Sequence, residues 1–355
     1  MNPTSLAQTA PPASDAACTE RLRALLAGKK QLLILTHHNP DPDSLGGAMG
    51  LAEFARGVAG VESCIAITGR VLRAENKAMV RELAIPTVQL DTMRLEEFDC
   101  FALVDTQPGF GHTFVPTDVA VDIVIDHHVC AEQSVDGVTF LDVRTDVGAT
   151  SSIVAGHLLN AGIVPSVEAA TALAYGIKTD TADLSRNVSD TDLRAYDFLF
   201  PLVDRERLVA ITSPRLPLAY FQTLLDALSK VRLYDGVTLC SLGRTSSAEM
   251  VAEVADLLLR MESVRAVFCG GQVGDSYYIS VRTEVGGDAW GLLRDVMEGE
   301  EGTCGGHGSV AGGSIQMGTS DSRTLKRLGR RMERNILRAM GVTGSNAATI
   351  GDVDD

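Results

Sequence analysis

Positive charge is scarce in this chain. There are 31 Lys and Arg against 46 Asp and Glu, a formal net charge of −15. A protein that coats long nucleic acid needs clustered cations to neutralise phosphates, so that class is excluded as an expectation. A small phosphorylated substrate stays open, because a bound divalent ion can bring the missing charge. Paired cysteines are lacking too. The seven cysteines stand at 18, 64, 100, 130, 240, 269 and 304, odd in number and with no C-x-x-C. That spacing fits reduced thiols of a cytoplasm and not a disulfide framework. No apolar run approaches the ~20 residues of a membrane span. The first 20 residues carry neither an apolar run nor a Lys or Arg, so no signal peptide is expected. No internal repeat is visible, which excludes solenoids and propellers. The expectation is a soluble, cytoplasmic protein without a membrane partner.

What is there is ordinary globular material. Apolar residues are 45% and charged residues 22% of 355, enough for two domains at roughly 150 residues each. Residues 1–18, rich in Ala, Pro, Ser and Thr, read as a mobile arm. A first domain is expected over 19–212, a Ser-Pro-Arg-Leu-Pro linker over 213–217, a second domain over 218–341, and a disordered tail over 342–355.

Short continuous apolar runs at 31–36 (QLLILT), 61–68, 101–106 and 122–128 read as strands buried on both faces. Helical patterns lie between and after them, at 45–59 with Ser44 as N-cap, at 149–161 and at 166–178. Strands alternating with helices predict an α/β fold with a parallel sheet. The second domain reads as smaller and α+β: helix 218–230, strand 231–242, helix 247–261, strands 264–270 and 276–284, helix 288–297, a glycine-rich loop 302–313, a strand 314–317 and a last helix 321–340.

Chemistry concentrates where the apolar runs stop. The first cluster is His37-His38-Asn39-Pro40-Asp41-Pro42-Asp43; Asp105 closes the second strand of interest; Asp126-His127-His128 closes the third; Asp180 follows a helix. Ligands of parallel sheets gather at the carboxyl ends of strands. A single Asp there is usually a turn or cap residue. Four such clusters in one α/β pattern point instead to metal. Carboxylates with imidazoles suit Mn, Fe or Zn, and a carboxylate-rich set favours Mn2+. His37, Asp41, Asp43, Asp105, His127 and Asp180 supply enough atoms for two ions, which can serve phosphoryl transfer.

This order of motifs resembles the DHH phosphoesterase superfamily, and the segment Cys304-Gly305-Gly306-His307-Gly308 is similar to the glycine-histidine signature of the DHH-associated C-terminal domain, with Cys304 where many members have glycine. The resemblance spans roughly 30–340 and is nearest to stand-alone nanoRNase/pAp phosphatases. It implies that His37 and Asp41 bind one metal, Asp43 the other, that Asp105 bridges them, and that His127 and Asp180 complete the second site. His128 would meet the substrate phosphate or leaving oxygen, with Asp126 orienting a ring nitrogen. His38 stands one residue too close to Asp41 to match a ligand position.

In the second domain, glycines at 305, 306 and 308 around His307 could let backbone N–H groups approach a phosphate. Arg282 shares a strand face with Tyr278 and Ser280, and the resemblance makes it a substrate clamp. The clusters Lys326-Arg327 and Arg330-Arg331 read as a solvated helix face. The expected activity is hydrolysis of short oligoribonucleotides and of 3′-phosphoadenosine-5′-phosphate, with a homodimer implied by relatives. Cyclic di-AMP hydrolysis, pyrophosphate or polyphosphate hydrolysis, and an inactive nucleotide sensor are the alternatives. The Ser-Arg-Lys signature of pyrophosphatases is missing.

Overall fold

The computed structural model describes residues 13–116, 119–129, 137–245, 247–317, 322–342 and 347–350. The chain divides into two compact units, residues 1–214 and 215–355.

The first unit is α/β. Its strands are β1 (Gln31–Leu35), β2 (Glu62–Ile67), β3 (Thr87–Gln89), β4 (Cys100–Val104), β5 (Ile123–Asp126) and β6 (Phe140–Val143). They form one parallel sheet in the order β3-β2-β1-β4-β5-β6. The helices are α1 (Ala13–Leu26), α2 (Pro42–Ala59), α3 (Ala74–Glu82), α4 (Thr150–Asn160), α5 (Val167–Asp180), α6 (Asp190–Leu199) and α7 (Arg205–Thr212). The central strands read as unbroken apolar runs because both faces are covered. Leu32, Ile34, Ala102 and Ile123 point into the larger core with α2, α4 and α5. Leu33, Leu35, Leu103 and Val124 point into a smaller cluster on the other face. Strand order reverses between β1 and β4, and a parallel sheet offers its crevice at such a switch point.

Two glycines bring α2 and α5 unusually close. A Cβ on Gly46 would stand 2.7 Å from the Ala172 carbonyl oxygen, and one on Gly176 would stand 3.0 Å from the Asp43 Cα. This approach sets the start of α2 beside the end of α5, hence Asp43 near Asp180.

The second unit is α+β. It contains α8 (Leu218–Leu228), β7 (Arg232–Tyr234), β8 (Val237–Arg244), α9 (Ala248–Leu258), β9 (Ala266–Val273), β10 (Ser276–Thr283), α10 (Ala289–Met297), β11 (Gly302–His307), β12 (Val310–Gln316) and α11 (Ser322–Ala339). The sheet order is β11-β12-β10-β9-β8-β7, antiparallel except for the β8/β9 pair.

Several expectations give way here. The arm read over 1–18 is helical from Ala13, where α1 begins; residues 1–12 lie outside the described residues. Helix α2 is capped by Asp41, not Ser44. Pro42 takes the first helical position, which its fixed φ favours, and Ser44 serves three residues on in a reciprocal capping box. The single strand read over 231–242 is a hairpin turning at Asp235-Gly236, with Gly236 at φ +69°. The glycine-rich loop read over 302–313 is a hairpin too. β12 is paired on both sides, by β11 and by β10, while β11, with Gly305 and Gly306, is the edge strand and keeps one row of backbone groups outside the ladder. Within the tail read over 342–355, Ala348 bridges to Leu233, and residues 343–346 and 351–355 lie outside the described residues.

Candidate metal centre

The chain leaves β1 through Thr36-His37-His38-Asn39 and enters α2 at Asp41. The Asp41 carboxylate accepts the Ser44 N–H at 3.0 Å. The same Oδ1 lies 3.6 Å from His37 Nε2. Asp43, fully buried in the first turn of α2, accepts the N–H groups of Thr150 at 2.7 Å and Ser151 at 2.8 Å, donors of the α4 N-terminus that have no partner within their own helix. Asp105 follows β4 directly, at φ +61°, a left-handed conformation that Asp tolerates better than most residues. The Thr150 hydroxyl donates to its Oδ1 at 2.8 Å. Asp180 is the last residue of α5. An acid there opposes the helix dipole, so α5 gains nothing from its charge.

These elements converge. His37, Asp41 and Asp105 form one group whose ligand atoms lie within 4.8 Å of one another; Asp43, His127 and Asp180 form another; Asp105, His127 and His128 form a third. Asp105 belongs to both sides: its Oδ2 is 3.7 Å from His37 Nε2 and its Oδ1 is 3.7 Å from His127 Nε2. Both imidazoles are oriented by the backbone. His37 Nδ1 meets the His38 carbonyl at 3.0 Å and His127 Nδ1 meets the Val147 carbonyl at 3.2 Å. A carbonyl only accepts, so each Nδ1 carries the proton and each Nε2 faces the carboxylates.

The donor set fits divalent ions. His127 Nε2 is buried without a hydrogen-bond partner, although Asp180 Oδ2 stands 3.1 Å away, because the two do not meet in hydrogen-bonding geometry. The charges also ask for a cation. Burial, then the charges of Asp43, Asp41 and Asp180, push the Asp105 carboxyl well above its ordinary range. Burial and the Asp180 charge push Asp43 up to about 7. Burial works against a charge on His127, but the Asp180 and Asp43 carboxylates outweigh it and raise the imidazole to about 9. Burial alone would raise Asp41 as well; its contact with His37 overrules this and holds it well below the usual range.

His128 reaches Asp105 as well, its Nδ1 3.7 Å from Oδ1, but it is the more open of the two imidazoles of this segment. It is 47% exposed, and its Nδ1 lies 2.9 Å from Asp126 Oδ1. Asp126 also accepts the His127 N–H at 2.8 Å, and Gln107 donates to its Oδ2 at 2.7 Å. Burial would raise Asp126, but the His128 contact lowers it. His38 turns toward Thr68 and the Phe114 ring, away from the carboxylates. Residues that sequence reading missed include Gln107, Thr150 and Ser151. A polar residue two positions after Asp105, and an Ala-Thr-Ser-Ser helix start, were the available signals. His112, whose ring centroid is 5.8 Å from that of His37, carried none.

In the second unit, Arg282 is buried. It ion-pairs with Asp256 and donates to Ser280 Oγ at 2.6 Å and the Val281 carbonyl at 3.1 Å. It lies opposite Val310, which on its other side pairs with His307. Arg282 and the backbone of His307 are thus brought to the same end of this sheet; the His307 side chain lies outside the described residues. Gly305 and Gly306 lie in β11, and Gly308, at φ +52°, makes the turn into β12.

Comparison with known proteins accords with this architecture. An uncharacterized protein of Methanocaldococcus jannaschii is 34% identical over 321 residues, 88% of this chain; the chain spans 65% of that protein's length. The crystal structure of an exopolyphosphatase-related protein from Bacteroides fragilis superposes with a TM-score of 0.72 at 16% identity, covering 91% of this chain and 98% of that one. At that identity the likeness is one of fold. RecJ in complex with Mn2+ from Thermus thermophilus gives a TM-score of 0.49 at 16% identity, over 94% of this chain and 56% of that one. Residues 31–177 match the N-terminal domain of the DHH family, and residues 235–333 match the DHHA1 domain. The chain thus carries a DHH-family N-terminal domain followed by a DHHA1 domain.

Proposed function

We propose that this protein is a phosphoesterase dependent on two divalent ions, Mn2+ foremost, that hydrolyses short oligoribonucleotides to mononucleotides and 3′-phosphoadenosine-5′-phosphate to AMP. One observation carries the reading: Asp105 turns one oxygen toward the His37 and Asp41 group and the other toward the Asp43, His127 and Asp180 group. Two ions held by these six residues would supply positive charge at the phosphoryl oxygens and lower the pKa of water for in-line attack.

The remaining roles belong to side chains. Asp126, itself fixed by Gln107 and the His127 N–H, holds His128 through Nδ1. That leaves Nε2 of a half-exposed ring to meet the phosphate or give a proton to the leaving oxygen. Arg282, Gly305, Gly306, His307 and Gly308 are proposed as the residues that take the substrate's nucleotide end. Arg282 already has Asp256 as partner, so the two would act together.

The test is a panel with the Mn2+-loaded full chain: pApA, RNA from two to about ten nucleotides, 3′-phosphoadenosine-5′-phosphate, cyclic di-AMP and pyrophosphate, read by mass spectrometry. Fast turnover of the dinucleotide and of 3′-phosphoadenosine-5′-phosphate, declining on longer RNA, supports the proposal. Turnover of pyrophosphate alone, or of the cyclic compound in preference, overturns the substrate assignment. Tight nucleotide binding without turnover makes the protein a sensor.

A further inference from the structure

We propose that the outer face of α11, with the cleft beside it, binds a single-stranded oligonucleotide through residues distinct from those of the metal centre and of the β11–β12 hairpin. Helix α11 carries seven cations and one acid, Glu333, in a chain of net charge −15. All seven are exposed. Arg331 pairs with Glu300; the other six have no ion-pair partner among the described residues. Like charges stand four apart at Arg323 and Arg327, Lys326 and Arg330, and Arg330 and Arg334, an arrangement that destabilises a helix left to itself. The solvated face expected from i,i+4 spacing therefore lacks the acids that would make such spacing favourable.

A basic amphipathic helix can also lie on an anionic membrane through its apolar side. Here that side is taken: Leu328, Met332 and Ile336 are buried in the core of the second unit. The cations face outward without an apolar surface to insert.

Next to them a cleft of about 650 Å³ opens between α11 and the sheet, a size typical of ligand sites. Leu239, Phe268 and Ile279 floor it, and Arg232, Lys326 and Arg330 stand among its lining residues. Three lining positions are glycine; at Gly270 the Tyr277 hydroxyl leaves no room for a Cβ, but the other two differ. A Cβ on Gly329, in the middle of α11, would meet nothing within 4 Å, and neither would one on Gly243, at the irregularity of β8. Glycine is a poor residue for a helix interior, and among the described residues no neighbouring atom requires one at 329. Close approach of a flat base would.

An apolar slot bordered by cations accepts a base with its phosphate. The cations run on from Arg323 to Arg338, about 22 Å at 1.5 Å per residue. That length exceeds a single nucleotide and matches a run of phosphates, so a strand is the occupant. The acidity of the chain as a whole is an average that hides this one basic helix.

The test uses the full chain, a 5′-fluorescein-labelled twelve-nucleotide oligoadenylate RNA, and EDTA throughout, with anisotropy read across salt concentrations. The triple variant Lys326→Gln/Arg330→Gln/Arg334→Gln should bind at least about tenfold more weakly. Its slope of log affinity against log salt should fall by about 2, at roughly 0.7 per phosphate contact. Gly329→Leu, which fills the cleft and suits a helix, should weaken binding at an unchanged slope. A melting temperature no lower than that of wild type for both variants excludes unfolding as the cause. Affinities of the triple variant within twofold of wild type, or equal binding of polyglutamate, would overturn the proposal. Hydrolysis is not read here, so failure of this surface and failure of the proposed activity are separate outcomes.

Discussion

Asp105 is the residue on which the metal centre turns, and its surroundings say what removing it does. It is buried among carboxylates, and its carboxyl is held well above the ordinary range by burial and by Asp43, Asp41 and Asp180. A carboxyl raised in the folded state binds its proton more tightly there than in the unfolded chain. Stability of the metal-free protein therefore falls as pH rises above about 4. Asp105→Asn removes that contribution and keeps a residue suited to φ +61°. The expected result is a metal-free variant more stable than wild type, by a margin that grows between pH 5 and pH 8 in urea unfolding with EDTA. Hydrolysis should fall by more than the roughly 10–100-fold typical of losing an outer partner of a metal ligand. Parallel pH profiles, or near-normal turnover, would contradict this account. A second prediction follows from His127, raised to about 9, and Asp43, raised to about 7. Both must lose protons to bind a cation. Mn2+ titration should release protons at pH 7, fewer at pH 9, and apparent affinity should climb over that interval. Calorimetry in buffers of different ionisation enthalpy measures both. The ligands were legible because each stands where an apolar run stops. Gln107 and Thr150 act on Asp126 and Asp105 across the sheet, and no local pattern encodes such partners.

At the scale of elements, α1 is tied down by polar groups and not only by Leu22 and Leu26. Asp142 on β6 accepts from Arg144 at 2.7 and 2.9 Å and lies 2.9 Å from His157 Nε2 on α4. His157 Nδ1 meets Thr19 Oγ1 on α1 at 2.9 Å, and Arg144 reaches Asp15 at 3.1 Å. Cys18 completes a group with metal-like spacing, but Arg144 already holds both oxygens of Asp142, which opposes a cation. Burial also pushes the Cys18 thiol up to about 11. Burial alone would raise Asp142; the His157 and Arg144 contacts overrule it and hold the carboxyl well below the usual range. A depressed carboxyl contributes stability above its unfolded pKa, near 4, and loses it as pH falls further. Asp142→Asn should thus cost about 3–5 kcal/mol at neutral pH, the usual effect of breaking a buried pair. The deficit should shrink below pH 4. Denaturant unfolding at pH 7 and pH 3 checks it; a deficit independent of pH would speak against the ion pair. Strands with two covered faces were legible from their runs of Leu, Ile and Val. The β11–β12 hairpin was not, because glycine weakens a strand pattern, and its pairing partner β10 lies some twenty residues earlier. Asp41 misled for a different reason: one side chain both caps α2 and faces His37, and motif matching sees only the second role.

At the scale of the whole molecule, the described core clusters each stay within one unit. Two draw on residues 18–211, two on residues 220–342. Every residue of the metal centre falls between His37 and Asp180. A ligand stabilises whatever must be folded to bind it, by about 2.7 kcal/mol at a concentration of 100 Kd for one site. For a domain of 150–250 residues, 1 kcal/mol shifts Tm by roughly 2–4 °C. Calorimetry of the full chain should therefore show two transitions, and Mn2+ should raise one of them by about 5–10 °C while leaving the other in place. Asp43→Asn or His127→Ala should abolish the shift without moving the second transition. The six cations of α11 that have no ion-pair partner among the described residues make the complementary case, since an oligonucleotide in EDTA should raise only the transition that Mn2+ leaves alone. A single transition moved by either ligand would mean that the two units unfold as one, and that binding at one is coupled to the stability of the other.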